Sequence, residues 1–192
     1  MNTISVMIVG VGGQGTLLAS KVLGQALVSM DYDVKVSEVH GMSQRGGSVV
    51  TYVRYGEEVH SPIVDLGQAD YMLAFEPLEA ARYLPYLKKD GVIITNTRET
   101  MPMPVITGAA AYPENIVEKL KARANVVALD AMQLALEAGN AKAVNMVLMG
   151  VLASRMDLPE DVWQAALTKQ VPAKFLELNR RAFALGQAQK GV

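Results

Sequence analysis

The stretch Gly10-Val11-Gly12-Gly13-Gln14-Gly15 decides the fold of this chain, because it directly follows a short apolar run from Ile4 to Val9. Its glycines have the spacing G-x-G-x-x-G, with Gly13 as a fourth. In a strand-to-helix turn, the first glycine permits the tight bend, the second lets a phosphate approach the backbone, and the third lets helix and strand pack closely. We therefore predict a buried strand, a phosphate-binding turn and a helix N-terminus, with a turn that binds no ligand as the alternative.

The pattern around this turn predicts an α/β, Rossmann-like fold with a mostly parallel sheet and helices on both faces. Residues 16–30 carry apolar residues at helical spacing, and Asp33 to Val39 has the composition of a strand. A right-handed crossover of this kind runs the two strands parallel. Gly56-Glu57 predicts a turn after the strand predicted at 48–55, and through this turn the chain folds back antiparallel at Val59. The further predicted strands are 48–55, 69–75, 91–95 and 125–129, and the helices are 76–88 and 113–123, with 98–107 an excursion or edge strand.

The second part of the chain has a different character. After Asp130 the helical pattern continues to about Gln189 and is interrupted at Gly139, Pro159 and Pro172. No polar linker precedes it. We therefore expect one domain over residues 1–192, with an α/β core at 1–130 and a helical extension at 131–192.

Composition excludes several classes of function. The chain of 192 residues has 18 basic and 19 acidic side chains, so it lacks the excess of positive charge that a nucleic-acid surface needs. It has no cysteine, which excludes disulfides and thiolate-bound iron–sulfur clusters in this chain. Its 2 histidines predict no metal site. No apolar stretch reaches the roughly 20 residues that span a bilayer, so we expect a cytoplasmic protein that does not contact membranes.

A second glycine-rich loop follows the second predicted strand. Ser43, Gln44 and Arg45 offer a hydroxyl, an amide and a guanidinium beside Gly46 and Gly47. Arg45 is suited to bidentate binding of a phosphate or carboxylate. If the two strands are parallel and adjacent, both loops emerge at their carboxyl ends, where open α/β sheets bind ligands, whereas an ordinary solvated surface loop is the alternative.

Two titratable residues beside this loop have open interpretations. His40 is a weak candidate for a proton carrier near neutral pH, and a loop histidine without chemistry is the alternative. Glu38 stands roughly where a nicotinamide-binding fold places its ribose-binding acid, and a surface glutamate is the alternative. The chain departs from the dinucleotide pattern after Glu38, because a glycine-rich loop replaces the second crossover helix. No residue is assigned a certain catalytic role.

The pair of loops, Gly10–Gly15 and Gly41–Gly47, resembles the gamma domain of 2-oxoacid:ferredoxin oxidoreductases. The resemblance covers essentially the whole chain and includes Glu76-Pro77 and Asn145 with Gly150. Within this family the likeness is greatest to the small beta subunit of indolepyruvate ferredoxin oxidoreductase. Such complexes decarboxylate a 2-oxoacid on thiamine diphosphate, pass electrons through iron–sulfur clusters to ferredoxin, and transfer the acyl group to coenzyme A. For indolepyruvate, the product is indoleacetyl-coenzyme A.

The resemblance implies a supporting role for this chain in a hetero-oligomer. Thiamine diphosphate, magnesium and the clusters are expected on a larger partner subunit, and the isolated chain is expected to be inactive. The two loops then face the partner's thiamine site, hold the phosphates of coenzyme A as co-substrate, or do both. A stand-alone nucleotide-binding or regulatory domain and an NAD-dependent dehydrogenase are the competing hypotheses. Whether the isolated chain pairs with itself stays open.

Two more residues of the resemblance have alternative interpretations. Glu76 either caps the helix that follows it or lines the cleft, and the cap is the expected role. Asn145, inside an apolar helix, is either a buried helix contact or a cleft residue.

Overall fold

The computed structural model describes residues 3–40 and 47–189. Their strands form one six-stranded sheet: β1 Ile4–Val11, β2 Asp33–His40, β3 Ser48–Gly56, β4 Ala69–Ala74, β5 Leu87–Asn96 and β6 Asn125–Leu129. The α-helices of these residues are α1 Thr16–Val28, α2 Pro77–Tyr83, α3 Met103–Ile106, α4 Ile116–Lys121, α5 Ala131–Ala138, α6 Val144–Ala153, α7 Glu160–Gln170 and α8 Leu176–Gln187. Short 3₁₀ helices span Leu84–Tyr86, Ala141–Ala143 and Ala173–Phe175. None of the described helices is long and apolar enough to cross a membrane.

The sheet order is β2-β3-β1-β4-β5-β6, and β3 alone among these strands runs against the others. The mostly parallel α/β fold is therefore confirmed. β1 and β2 run in the same direction, as predicted, but they are not adjacent, because β3 lies between them and pairs antiparallel with both. The connection over residues 41–47 is too short for a crossover helix, so β3 folds back directly along β2. The carboxyl ends of β1 and β2 nevertheless share one edge of the sheet.

Helices cover both faces of the sheet, as predicted. Val6 and Ile8 of β1 pack under α1 and α5–α8, whereas Met7 and Val9 pack on the other face under α2 and α4. All four side chains are fully buried, as a central strand between two helical layers requires. The predicted C-terminal helices are thus part of the α1 layer. The assignment of residues 1–192 to one domain stays a prediction.

Several local expectations differ from the structure. No strand follows β3 at Val59, whose N–H donates instead to Asp33 Oδ2 at 2.9 Å. The helix predicted over 76–88 ends at Tyr83 because a 3₁₀ turn leads into Leu87, which is buried as the first residue of β5. The region 98–107 forms the short α3 rather than an edge strand, and the helix predicted at 113–123 is confined to α4.

Candidate functional site

A cleft of about 500 Å³ opens at the carboxyl edge of the sheet. It lies where the chain changes faces, since α1 follows β1 on one face and α2 follows β4 on the other. Open α/β sheets bind ligands at such a switch point. The polar lining comes from the glycine turn, the end of β5 and the segment before α6: Gly13, Gly15, Asn96, Arg98, Thr100 and Lys142.

The glycine turn has the backbone geometry of an anion site. Gly13 has φ 98° and Gly15 has φ 85°, in the left-handed region that favours glycine. Gly15 is the N-cap of α1 and provides no side-chain cap. The N–H groups of the first helical turn are therefore available to a ligand, and the helix dipole favours a negative one.

Gln14 shapes this turn and also reaches the cleft. Its Oε1 accepts the Val11 N–H at 2.8 Å, and its Nε2 lies 3.5 Å from Thr100 Oγ1. A Cβ on Gly10 would lie 2.6 Å from the same Oε1 and 3.0 Å from the Phe75 Cβ, so a side chain there would displace Gln14 from its hydrogen bond. The predicted contact of Gln14 with a ligand stays a prediction.

Three side chains that sequence reasoning missed add donors to the cleft. Arg98 follows β5, and Lys142 lies in the 3₁₀ helix before α6; both are exposed. Asn96 is 3% exposed, and its Oδ1 accepts the Ala131 N–H at 3.1 Å. Within the described residues, the Asn96 Nδ2 makes no hydrogen bond. Two cations and an open amide donor beside a helix N-terminus favour an anion.

A signal for two of these residues was present in the sequence. Asn96 and Arg98 are polar residues at the carboxyl end of a predicted strand, the place where such folds bind ligands. Lys142 is different, because only the packing of α6 against the glycine turn brings it to the cleft.

Asn145 fastens α6 to the glycine turn. It is 4% exposed, its Nδ2 donates to the Gly15 carbonyl at 3.3 Å, and its Oδ1 accepts the Met146 N–H at 2.9 Å. A Cβ on Gly15 would lie 2.7 Å from this Nδ2. The structure supports the interpretation of Asn145 as a buried helix contact, and the residue also lines a smaller cavity next to the cleft.

The two glycine loops meet through the backbone. The Gly12 N–H donates to the Gly47 carbonyl at 2.9 Å, and Gly47 directly precedes β3. The other candidates of the second loop, Ser43, Gln44, Arg45 and Gly46, lie outside the described residues. His40 is the last residue of β2, and its side chain also lies outside the description. The predicted roles of all these residues stay predictions.

A second groove of about 500 Å³ lies at the same edge on the α2 side, and two glutamates are buried there. Glu76 caps α2 by accepting the Glu79 N–H at 2.9 Å, as predicted, and it accepts the Tyr112 hydroxyl at 3.0 Å. Burial raises the pKa of Glu76, although the Tyr112 hydroxyl and backbone N–H groups oppose this effect. Glu79 accepts hydrogen bonds from the Ser48 hydroxyl and, at 3.1 Å, from Arg82 Nε.

Glu38 does not line the cleft. It lies on the edge strand β2, and its Oε1 accepts the Ser20 hydroxyl at 3.1 Å. A nicotinamide-binding fold places its ribose-binding acid on the strand next to the glycine turn. In this chain β3 occupies that neighbouring position, so the geometry does not favour a dinucleotide site.

Comparison with known proteins agrees with this geometry. The family described as pyruvate ferredoxin/flavodoxin oxidoreductase matches residues 5–189. Indolepyruvate oxidoreductase subunit IorB of Thermococcus kodakarensis is 45% identical, over 97% of this chain and 95% of the relative.

Solved structures share the fold. Pyruvate oxidoreductase subunit PORC of Thermotoga maritima superposes with a TM-score of 0.76 at 18% identity, over 98% of this chain and 97% of the other. The 2-oxoglutarate:ferredoxin oxidoreductase of Magnetococcus marinus superposes with a TM-score of 0.75 at 18% identity, over 98% of this chain and 31% of the other.

The resemblance that rested on the two glycine loops is therefore confirmed along nearly the whole chain. The matched span, the 45% identity and the shared fold show that this chain belongs to the pyruvate ferredoxin/flavodoxin oxidoreductase family.

Proposed function

We propose that this chain is the small, thiamine-free subunit of an indolepyruvate oxidoreductase. The complex converts indolepyruvate to indoleacetyl-coenzyme A and passes the electrons to ferredoxin. The observation that carries this proposal is the 45% identity to an indolepyruvate oxidoreductase subunit over 97% of the chain. Because the chain has no cysteine, the iron–sulfur clusters belong to a larger partner subunit. That subunit also holds thiamine diphosphate and magnesium.

The contribution of this chain is to bind and orient an anion. In our proposal the cleft holds the pyrophosphate of coenzyme A at the N-terminus of α1. Arg98 and Lys142 provide positive charge, and the open Asn96 Nδ2 donates a hydrogen bond. The 2-oxoglutarate:ferredoxin oxidoreductase of the same fold was solved with coenzyme A bound, which is consistent with this assignment.

The second loop completes the proposed site. Ser43, Gln44 and Arg45, with Gly46 and Gly47, either hold further oxygens of the same ligand or face the partner's thiamine site. The Gly12–Gly47 hydrogen bond supports joint action of the loops, since it ties the base of one to the other. Arg45→Ala is expected to reduce activity and weaken the dependence on coenzyme A. Unchanged activity and coenzyme A dependence would remove Arg45 from the site.

Co-expression with the larger subunit tests the proposed function. The purified complex is expected to oxidise indolepyruvate only when thiamine diphosphate, coenzyme A and an electron acceptor are present. The isolated chain is expected to show no turnover and no binding of NAD. Failure to form a complex, or reduction of NAD by the isolated chain, would contradict the proposal and favour one of the competing hypotheses.

The cleft is tested separately by removing its cations. In the complex, Arg98→Gln or Lys142→Gln is expected to raise the KM for coenzyme A about tenfold or more, because a hydrogen bond to a charged group contributes roughly 1.5–3 kcal/mol. The KM for indolepyruvate is expected to change little. Lys21→Gln is the matched control, since Lys21 lies on the outer side of α1 away from the cleft. If all three variants raised the KM for coenzyme A equally, the cause would be the loss of net positive charge rather than the loss of a contact in the cleft.

A further inference from the structure

The sheet of the described residues has two outer edges, and the edge formed by β2 is unlike the edge formed by β6. No described strand pairs with the outer side of β2, which is 8 residues long. β6 exposes no large apolar side chain, whereas Val36 and Val39 of β2 are 45% and 50% exposed. Natural proteins normally protect such edges, because a free strand pairs readily with another chain. The exposed valines therefore indicate an edge that is suited to pairing.

The helix beside this edge exposes a row of residues, which we call the α1 stripe. Its members are spaced by four, three and four residues, which places them on one face of α1: Leu17, Lys21, Gly24 and Val28. Leu17 and Val28, at the two ends of the stripe, are 44% and 55% exposed. The stripe and β2 together line a groove of about 450 Å³. An exposed helix face with apolar ends therefore lies directly beside the free edge of the sheet.

The α1 stripe is complementary to itself when a second copy of the helix runs antiparallel to it. A two-fold axis at the middle of the stripe places Leu17 opposite Val28 of the other copy. It also places Lys21 opposite Gly24, so the long side chain crosses a residue that has none. A closed two-fold dimer requires a surface that fits its own copy in this way.

The edge strand places a two-fold axis at the same point. Within one chain, the Ser20 hydroxyl donates to Glu38 Oε1 at 3.1 Å, and a Cβ on Gly24 would lie 3.9 Å from Val36 Cγ2. The middle of the α1 stripe therefore lies beside Ser37 of β2. If β2 pairs antiparallel with its copy about Ser37, residues that meet are an even number apart, so each meets a side chain on its own face of the sheet. One axis thus serves the helix and the strand together.

The charges of the two copies are also compatible about this axis. Val36 stands opposite Glu38 of the other copy, and Lys35 stands opposite Val39, so no like charges meet directly. Lys21 and Glu38 of one chain line the same groove, so the axis brings Lys21 of each copy beside Glu38 of the other. Opposite charges therefore face each other twice across the joint.

We propose that β2 and the α1 stripe bind a second copy of this chain. The two β2 strands pair antiparallel about Ser37 and join the two six-stranded sheets into one. The two α1 helices pack against each other over one face of this joint and bury the apolar ends of their stripes. This dimer depends neither on the anion cleft nor on the proposed catalytic role of the chain.

Sedimentation equilibrium of the full chain over a range of concentrations tests the dimer. The unchanged chain is expected to reach twice its monomer mass. Val36→Asp is expected to raise the dissociation constant of the dimer at least about tenfold, because the new carboxylate meets Glu38 of the other copy. Leu136→Asp is the matched control, since it places the same charge at an exposed apolar position of α5. Circular dichroism spectra check that both variants are folded.

Exchange of the facing charges is a second test that leaves the apolar contacts intact. Lys21→Glu alone and Glu38→Lys alone are each expected to weaken the dimer about tenfold, because like charges then face each other twice. The double variant restores both pairs with their signs reversed. It is therefore expected to dimerise like the unchanged chain.

Each other outcome overturns the proposal in a recognisable way. A full chain that stays monomeric at every concentration overturns the dimer, and if Val36→Asp then prevents binding of the larger subunit, the edge belongs to that partner. A dimer that Val36→Asp does not weaken forms through another surface. A double variant that stays monomeric overturns the facing of Lys21 and Glu38. The subunit function is judged separately, by the activity of the complex.

Discussion

At the scale of single residues, Gly15 combines a backbone requirement with a packing requirement. Its φ of 85° disfavours any residue with a Cβ, and Asn145 Nδ2 would lie 2.7 Å from that Cβ. Gly13 shares only the first requirement, since its φ is 98° and no heavy atom lies within 4 Å of a Cβ built there. Alanine variants of the two glycines therefore distinguish the loss of stability caused by the backbone geometry from the loss caused by displacing Asn145 of α6.

Gly15→Ala is expected to destabilise the chain more than Gly13→Ala. The left-handed backbone costs each variant roughly 1–2 kcal/mol, and only Gly15→Ala also pushes Asn145 away from the turn. Denaturant-induced unfolding measures the loss of unfolding free energy in each variant relative to the unchanged chain, and pyrophosphate affinity is a second readout. Equal losses of stability in the two variants would show that Asn145 yields without cost.

Glu76 is a residue whose burial predicts a pH dependence. Because burial raises its pKa above the usual 4.5, the folded chain holds the Glu76 proton more tightly than the unfolded chain. This residue therefore lowers stability as pH rises from about 4.5 through the raised folded pKa, and its effect is constant above that.

Glu76→Gln is expected to remove this effect, since an amide does not titrate. Its oxygen still accepts the Glu79 N–H, and its NH₂ group replaces the oxygen that accepts the Tyr112 hydroxyl, which accepts a hydrogen bond in turn. Relative to the unchanged chain, the variant gains stability as pH rises through that window. Unfolding free energies measured across the pH range check this, with the exposed Glu114→Gln as control. A parallel pH profile for the two chains would contradict the assigned cause.

At the scale of elements, a chain of contacts ties α2 to the glycine turn. Glu79 of α2 accepts the Ser48 hydroxyl at the start of β3, and the preceding residue, Gly47, accepts the Gly12 N–H at 2.9 Å. Glu79 is almost fully buried and is also held by Arg82. The helix on one face of the sheet thereby positions the base of both loops.

Glu79→Gln is expected to weaken this tie, because an uncharged amide accepts a weaker hydrogen bond from Ser48. Hydrogen exchange of the Gly12 amide is the direct readout, and we expect it to accelerate. Glu177→Gln removes an exposed carboxylate that pairs with Arg180 at 3.0 Å and is the control. An unchanged exchange rate at Gly12 would show that β3 is held by its strand pairing alone.

At the scale of the whole molecule, the C-terminal helices are built into the α/β part. α6 and α8 cross at Gly150 and Gly186, where a Cβ on either residue would lie 2.0 Å from a backbone oxygen of the other helix. The side chains of α5–α8 share one continuous core with α1 and the sheet. We therefore expect residues before and after Asp130 to unfold as one cooperative unit.

Gly150→Ala is expected to force these helices apart and lower the stability of the whole chain by several kcal/mol. Overpacking of a core typically costs about 1–3 kcal/mol, and the cost is larger here because the added methyl group meets a backbone oxygen, which cannot rotate away. Fluorescence of Trp163, the only tryptophan in the sequence, and far-ultraviolet circular dichroism are expected to report the same transition. Gly24→Ala is the control, since the nearest atom to its Cβ lies 3.9 Å away, and it is expected to stabilise α1 by roughly 0.5–1 kcal/mol. Separate transitions for the two probes would divide the chain into two units.

Features that depend on residues close together in the sequence were predicted correctly, whereas the neighbour relations of the strands were not. The turn at Gly10–Gly15, the strand before it and the helix after it were predicted correctly, because backbone geometry and apolar periodicity are local properties. The placement of β3 between β1 and β2 was missed, since alternation along a strand identifies its buried faces but not its neighbours. Glu76 was correctly predicted as a cap because capping involves residues three apart.

The sequence by itself determined the glycine turn and the two-sided burial of β1, which depend on residues close together in the chain. It also determined the family, through a pattern that runs along nearly the whole chain. Only the tertiary structure decided the composition of the cleft. Arg98 and Lys142 line it with Gly15, and their positions depend on how β5 and α6 pack against the turn. The physical reason is that a binding site is an arrangement in space, whereas a sequence pattern specifies conformation one element at a time.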